Sequence, residues 1–364
     1  MPGSSRAASS ASKVRRTNYA TTHTAGRPTL VSSALRRVPP TNLAIAVGVL
    51  VVLAVASYYR GTFIVVGTLV TGSTWALMAV GLSLVFGVMN VLNFAQGAFF
   101  MVGTLTSYLT YGWLAQSLDV PVLGALSPLL AILAAMCVGF LLGVLADVSL
   151  FRVLRRRSDE RWMMNTFVLT MGISVVLIGL HQLVWGPNTK GIGHYWSQPP
   201  ITFLDTRVTW DQLATVLISL VAIAVLGIGL KATRLGRAVR AVAQDERGAQ
   251  LAGIDISRIH MVTLGIGCAV AALAGAALLY RFPSTPTVGD EPLAIAFTVV
   301  ILADLGNVVG AIGAGFVVAL LQTLSDSFLG ATWQPVVTFA LIVVILIFRP
   351  QGLFGRQVRG VWEQ

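Results

Sequence analysis

Charge is scarce in this sequence: only 11% of its 364 residues are charged, against 55% hydrophobic. A soluble domain carries about 25% charged residues, so a water-soluble enzyme or binding module is excluded. Cysteine is scarcer still. Cys137 and Cys268 both fall in apolar runs, without CxxC spacing or clustered histidine. That pattern indicates neither a disulfide framework nor a metal site. No GxxxxGK[ST] loop is present, so the chain cannot hold ATP by that cradle of backbone amides. HExxH, GxSxG and paired-carboxylate constellations are absent too, which leaves a membrane-embedded enzyme without catalytic groups. The first 40 residues lack any acidic side chain and are rich in Ser, Ala, Thr and Arg. They read as a disordered basic cytoplasmic tail, or as an organellar transit peptide by composition.

What is there is a succession of apolar runs, near 43–59, 62–86, 89–112, 121–150, 162–184, 211–230, 260–280, 293–305, 306–328 and 335–348. A hydrocarbon crossing takes roughly 20 residues, fewer where a helix is broken. The expectation is an all-α polytopic membrane protein of about 10 crossings, or 8–10 if the short runs do not span. The membrane-embedded body is expected over 41–356, with a cytoplasmic tail at 357–364. Of 25 Lys and Arg, 21 lie in 1–40, 151–161, 231–258 and after 348. With ten crossings these four segments share one side, which the positive-inside rule makes cytoplasmic together with both termini. The net charge of +11 is thus topological, and a nucleic-acid partner is not indicated.

Three stretches rise above generic membrane helix. Residues 87–103, GVMNVLNFAQGAFFMVG, place Asn90, Asn93 and Gln96 three apart, which on one helix makes a narrow stripe. Beside Gly87 and Gly97, such a stripe reads either as the lining of a polar passage at a broken helix or as amides joining neighbouring helices. The loop 231–258 is too polar to span. Good helix formers fill 238–252, Gly253 supplies a stop, and Asp255 or Ser257 can cap the next helix. Such an element suits docking of a soluble protein, or rests on anionic lipid as an interfacial amphipathic helix. Third, Gly306, Gly310 and Ala314 have the small-residue spacing of close helix packing. Asp147, Asp304, Asp326 and His181 are the titratable groups in or near apolar runs. An ion-coupled transporter would need such groups, Asp304 with His181 being the best pair.

These residues resemble the integral-membrane permeases of branched-chain amino-acid ABC importers, a family that also includes urea and short-chain amide systems. Four segments in order carry the resemblance: Gly72, Ala76, Leu77, Ala79, Gly81, Phe86 and Gly87 with Asn93-Phe94-Ala95 and Gly97; Arg234, Gly236-Arg237-Ala238, Arg240-Ala241, Ala249 and Gly253-Ile254; the Gly-rich 306–315; and Arg349-Pro350-Gln351-Gly352-Leu353-Phe354-Gly355. The chain departs from the family's usual residues at Asn90 (commonly Gly), Gln96 (often His) and Asp304 (usually Gly). The resemblance implies a bacterial inner-membrane importer without cofactor in this subunit. Its partners would be cytoplasmic ATP-binding subunits, a second permease subunit (paralogue or copy) and an extracytoplasmic solute-binding protein. On that reading Asn90, Asn93, Gln96 and Gly97 line the pathway. Arg237, Arg240, Asp245, Glu246, Ala249, Gly253 and Ile254 couple to the ATPase, and Gly306, Gly310 and Ala314 pack helices. The outer loop 186–210 either contacts the binding protein or caps the bundle.

Overall fold

The computed structural model describes residues 61–117, 121–157, 162–196, 198–203, 206–348 and 352–354, with residues 48 and 51 isolated. The basic tail, nearly all of the predicted 43–59 crossing and the 357–364 segment lie outside the described residues.

Among the described residues the chain is almost entirely helical. Helices α1 (Phe63–Met89), α2 (Gln96–Ser117) and α3 (Pro121–Ala146) lead through a π-helical turn, Asp147–Phe151, into α4 (Arg152–Arg157). Then come α5 (Trp162–Trp185), a hairpin of β1 (Ile201–Phe203) and β2 (Thr206–Val208), and α6 (Trp210–Ala232). Two short helices follow, α7 (Arg234–Gln244) and α8 (Glu246–Leu251), and then α9 (Ile256–Ala277). The last three are α10 (Asp290–Ala303), α11 (Val308–Leu329) and α12 (Gln334–Phe348). The hairpin, pairing Ile201 with Val208 and Phe203 with Thr206 in antiparallel register, is the one departure from the all-α expectation among these residues. It closes the outer loop.

Six of these helical stretches are long and apolar enough to cross a membrane: Phe63–Met89, Leu126–Arg155, Trp162–Trp185, Trp210–Ala232, Ile256–Ala277 and Val308–Leu329. Their sides differ as lipid contact requires. α1 and α9 are apolar all round and buried nearly throughout, the mark of central helices. α5 and α6 instead turn Val175, Val176, Leu183, Leu217, Val225 and Ile228 outward, each at least 60% exposed. In a membrane that surface faces acyl chains, which cost it nothing.

Between apolar helices in lipid there is little hydrophobic gain, so attraction depends on close van der Waals approach. α9 crosses α2 through Gly103 and Gly275: a Cβ at Gly103 would overlap the Ala272 carbonyl, and one at Gly275 the Phe100 carbonyl. α1 meets α11 in the same way, where Gly315 lies against the backbone of Ala76. Gly103→Val is therefore expected to lower stability by about 1–3 kcal/mol through overpacking. Gly112→Ala, with nothing within 4 Å of the added carbon, leaves the thermal midpoint of the detergent-purified protein unchanged; equal melting of the two variants contradicts this packing.

Candidate translocation site

The three amides do not form one helical stripe. α1 stops at Met89 and Asn90 turns the chain with φ 52° and ψ 38°, a left-handed conformation that asparagine tolerates better than most residues. Residues 90–95 are non-helical and α2 begins only at Gln96. Asn90 is exposed, whereas Asn93 and Gln96 are buried. The periodicity argument failed because it carried a helix through the very segment that is broken.

Asn93 and Gln96 are nonetheless brought together. Asn93 Oδ1 accepts from the Ala95 amide at 3.1 Å, and Asn93 Nδ2 donates to Gln96 Oε1 at 3.2 Å. Gln96 Nε2 then donates to the Gly267 carbonyl of α9 at 3.1 Å. Gly267 is eleven residues into α9, about 16 Å from its start at 1.5 Å per residue. The start of α2 thus lies halfway along a membrane-crossing helix. Phe94, between the two amides, donates its N–H to Thr170 Oγ1 at 3.3 Å. Its ring packs edge-on to Phe167 of α5 at 4.8 Å and against Phe297 of α10 at 4.7 Å.

A second irregular segment descends from the opposite end. After α9, residues 278–289 run inward, pinned by backbone bonds between Lys190 and Ser284 and by Thr104 Oγ1 donating to Ser284 Oγ at 3.0 Å. They end at Gly289, the N-cap of α10, which packs backbone to backbone on Gly97; a Cβ on either glycine would strike the other's carbonyl. Two helices of opposite direction therefore begin at the same depth, N-terminus against N-terminus. The aligned peptide dipoles bring positive partial charge to that point, and the first-turn carboxylates of Asp290 and Glu291 stand against it. Beside it Thr287, Asp290 and Glu291 are exposed; Arg281, also exposed, lies farther from Asn90 along α1, its Nη1 donating to Thr71 Oγ1 at 3.3 Å. Sequence reasoning placed none of these residues in a site. Two acids opening a 14-residue apolar helix, too short to cross alone, were the signal available.

The third predicted group falls at the other end of α10. Asp304 (φ 75°) and Gly306 (φ 86°) turn the chain between α10 and α11. Gly306 precedes α11, so Gly306, Gly310 and Ala314 are not one helical stripe. Gly306 closes on Gly87 at the end of α1, Gly310 lies over the Ala303 carbonyl, and Ala314 is buried. Asn307 caps α11 by accepting from the Gly310 amide at 2.9 Å. Leu353 donates its N–H to the Leu302 carbonyl at 2.8 Å, and the Phe354 ring lies over Gly313. The C-terminal signature thus clasps this break. Asp304 and His181 are not brought together: Asp304 shares the Gly87–Met89 end. His181 stands nineteen residues along α5 from Trp162, whose Nε1 donates to Met89 O at 3.5 Å.

The polar loop folds as two helices rather than the single one its helix formers suggest, because Asp245 leaves the helix (φ −154°) and caps α8 by accepting from the Arg247 amide at 3.1 Å. The stop falls at Gly253 (φ 82°): Gly253 donates to Gln250 O and Ile254 to Ala249 O, a Schellman closure. Asp255 caps α9 through the Arg258 amide. Arg237 and Arg240 donate to the Ala232 and Leu230 carbonyls at the end of α6, where cations offset the helix dipole. Ala249 is buried, and Ile254 packs against the cluster holding Val239 and Val242; Asp245, Glu246 and Arg247 are exposed, and Leu251 is 91% exposed.

The outer loop 186–210 is folded onto the bundle. Buried Asp211 accepts from His194 Nδ1 at 2.7 Å and from the Tyr195 and Trp196 amides at 2.9 and 3.4 Å. Tyr195 Oη donates to Ala276 O at 2.9 Å, and burial pushes the Tyr195 phenol well above its usual pKa.

Membrane-length apolar helices, small-residue packing and helices that start inside the bundle define a multi-pass membrane protein of the transporter class. Residues 64–346 match the family described as branched-chain amino acid transport system / permease component, and the chain belongs to that family. It is 28% identical over 291 residues to the high-affinity branched-chain amino acid transport system permease protein LivH of Salmonella typhimurium, covering 78% of this chain and 92% of the relative. To BraD of Pseudomonas aeruginosa, which carries the same description, it is 27% identical over 299 residues, 80% of this chain and 94% of that protein. LivM of Escherichia coli, likewise described, is 26% identical over 255 residues, 62% of this chain and 56% of LivM. No solved structure matches the chain. The chain is a permease component, a transport subunit and not an enzyme.

Gln96→Met keeps side-chain volume but leaves the Gly267 carbonyl and the Asn93 amide without their partner. An unpaired buried polar group costs about 1–3 kcal/mol. The thermal midpoint of the detergent-purified variant is expected to fall accordingly, and an unchanged midpoint contradicts the tie.

Proposed function

We propose that the chain is one membrane subunit of an ATP-driven importer of branched-chain or closely related amino acids. Cytoplasmic subunits hydrolyse the ATP, an external binding protein delivers the solute, and a second permease subunit completes the passage. The observation that carries this reading is the head-to-head start of α2 and α10 in mid-bundle. The helix N-termini offer amide N–H groups to a carboxylate, Asp290 and Glu291 offer carboxylates to an ammonium group, and an amino acid presents both groups. Polar residues at that depth belong on a water-filled face rather than on lipid. We therefore assign Thr287, Asp290 and Glu291 to the face lining the passage against the second permease, with Arg281 nearer its outer mouth. Asn93, Gln96 and Gly97 support it from behind, and Asn90 lies at the cytoplasmic mouth.

The topology follows the charges. Arg152, Arg155, α7, α8 and the start of α9 gather at the end of the bundle where α1 stops, and Lys190, Arg207 and Arg281 lie toward the other end. The positive-inside rule puts the first group in the cytoplasm, with ten crossings and both termini inside. The protein then resides in the bacterial cytoplasmic membrane. ATPase movement enters through α8. The Schellman closure and the two arginine bonds to α6 make α7 and α8 a stiff lever on α6 and α9, so a displacement at Leu251 reaches the membrane without being absorbed by a flexible loop.

Leu251→Asp tests this without touching the core, because the side chain has almost no contact within the subunit. A tagged pull-down from native membranes is expected to recover soluble ATP-binding subunits with the wild type. The variant, present at the same membrane level, recovers roughly tenfold less, the scale of a hot-spot contact. Equal recovery contradicts the coupling role, and recovery of no ATPase with the wild type contradicts ATP-driven import. Uptake of labelled leucine that is lost with Asp290→Asn, at normal pull-down, supports the pathway face; urea uptake without leucine uptake contradicts the solute class.

A further inference from the structure

The π-turn after α3 and the start of α9 build a second polar site, unconnected with the amides. Arg152, Arg155, Asp255, Ser257 and Arg258 line a pocket of about 460 Å³. Arg155 Nη2 holds both oxygens of the fully buried Asp147 at 2.8 and 3.0 Å. Arg258 Nε reaches Asp255 Oδ2 at 2.9 Å. Among the described residues, two carboxylates thus answer three guanidinium groups. Among those residues Arg152 keeps the excess charge, its hydrogen-bonding contact being Met261 Sδ at 4.0 Å. Arg152 Nε and Arg155 Nη1 are buried with no hydrogen-bond partner among the described residues. Glu246 does not relieve them: its Oε1 stands 4.0 Å from His260 Nε2. The N-terminus of the 22-residue α9 adds its positive end to the same pocket.

The pocket's depth bears on the chemistry it suits. It lies where two candidate membrane crossings, Leu126–Arg155 and Ile256–Ala277, have their ends, the level of lipid headgroups. Higher along the same helices, an apolar groove of about 740 Å³ runs between α3, α6 and α9, lined among others by Phe140, Leu141, Ile266 and Ala269. Ala269 is eleven residues beyond Arg258, three turns of helix and so on nearly the same face, about 16 Å deeper. A basic pocket at headgroup depth with an apolar groove behind it has the two-part chemistry of a phospholipid.

We infer that this is a binding site for one anionic phospholipid of the cytoplasmic leaflet. Its phosphate is held by Arg152, Arg155 and Arg258 over the start of α9, and an acyl chain lies in the α3–α6–α9 groove. Basic pockets between membrane helices on that side select acidic headgroups, and guanidinium forks bind phosphate oxygens in pairs. The bound lipid would brace the π-turn against α9, next to the α7–α8 lever. The inference rests on membrane insertion and not on the solute carried.

The test is native mass spectrometry of the delipidated full-length subunit in its purified complex, titrated with phosphatidylglycerol, phosphatidylcholine or inorganic phosphate. The first phosphatidylglycerol is expected to bind roughly 25-fold more tightly than phosphatidylcholine, from about a factor of five for each of Arg152 and Arg258 at a membrane surface. The double variant Arg152→Gln, Arg258→Gln loses that preference, and Arg152→Lys, Arg258→Lys keeps most of it. Arg155 is left in place because it pairs Asp147. If the glutamine variant does not assemble, raising salt on the wild type is expected to erode the preference. Equal binding of the two lipids, a preference untouched by the glutamine variant or by salt, or displacement of phosphatidylglycerol by inorganic phosphate overturns the proposal.

Discussion

Hydrocarbon offers a peptide group no partner, so every N–H and C=O at membrane depth has to be satisfied within the protein. The rest of this structure depends on how the chain meets that constraint where its helices are broken. At 90–96, Asn90 donates back to Phe86, Phe94 to the Thr170 hydroxyl, and Ala95 and Gln96 to Asn93. At 278–290, Arg281 and Phe282 donate to Leu278, Ser284 to Lys190, Val288 to Thr285 and Asp290 to Thr287. With those donors placed, α2 and α10 can start in mid-bundle at little cost, and a polar place exists inside an apolar shell. The amides that raised the question of a pathway are, in this conformation, the fixtures that make the broken helix tolerable.

The same economy ties α7 to the membrane-length helices. α6 ends in carbonyls that have no helical partner, and Arg237 and Arg240 reach back to two of them. Val239 and Val242 lie in one apolar cluster with Val88 and Met89 of α1 and Leu264 of α9. The lever therefore touches the foot of α1, directly beneath the broken segment. The Gly87–Gly306 contact and the C-terminal clasp on Leu302 lie at the same level. A small shift of α8 has a short, stiff path to both helix breaks.

Much of this was legible in the sequence. Each predicted run from 62–86 to 335–348 contains a helix, although 89–112 is helical only from Gln96 and 293–305 and 335–348 are shorter than a crossing. Gly253 and Asp255 stop and cap where turn chemistry demands. A break beside Gly87 and Asn90 was legible where one apolar run ends at 86 and the next begins at 89, but its extent to residue 95 was hidden because Val91, Leu92, Phe94 and Ala95 are as apolar as any helix. Depth was hidden for a different reason. Hydropathy assigns residues to crossings in order, so a segment that dips inward, like 278–289, looks like an outer loop, and Asp290 and Glu291 look like boundary residues. The division of the cytoplasmic loop at Asp245 escaped notice because its neighbours are all good helix formers, and an Asx cap outweighs them locally.

The measurement that bears most directly on the account is the reactivity of a cysteine at position 290 toward a charged, membrane-impermeant thiol reagent. It is made in the assembled importer with Cys137 and Cys268 replaced by alanine, and with Leu183→Cys on the lipid face as reference. The account predicts that Asp290→Cys reacts, and that saturating leucine slows the reaction, because the start of α10 faces a watery passage at mid-depth. If position 290 is as unreactive as position 183, or if it reacts at a rate leucine does not change, the head-to-head helix start is not on the solute's route.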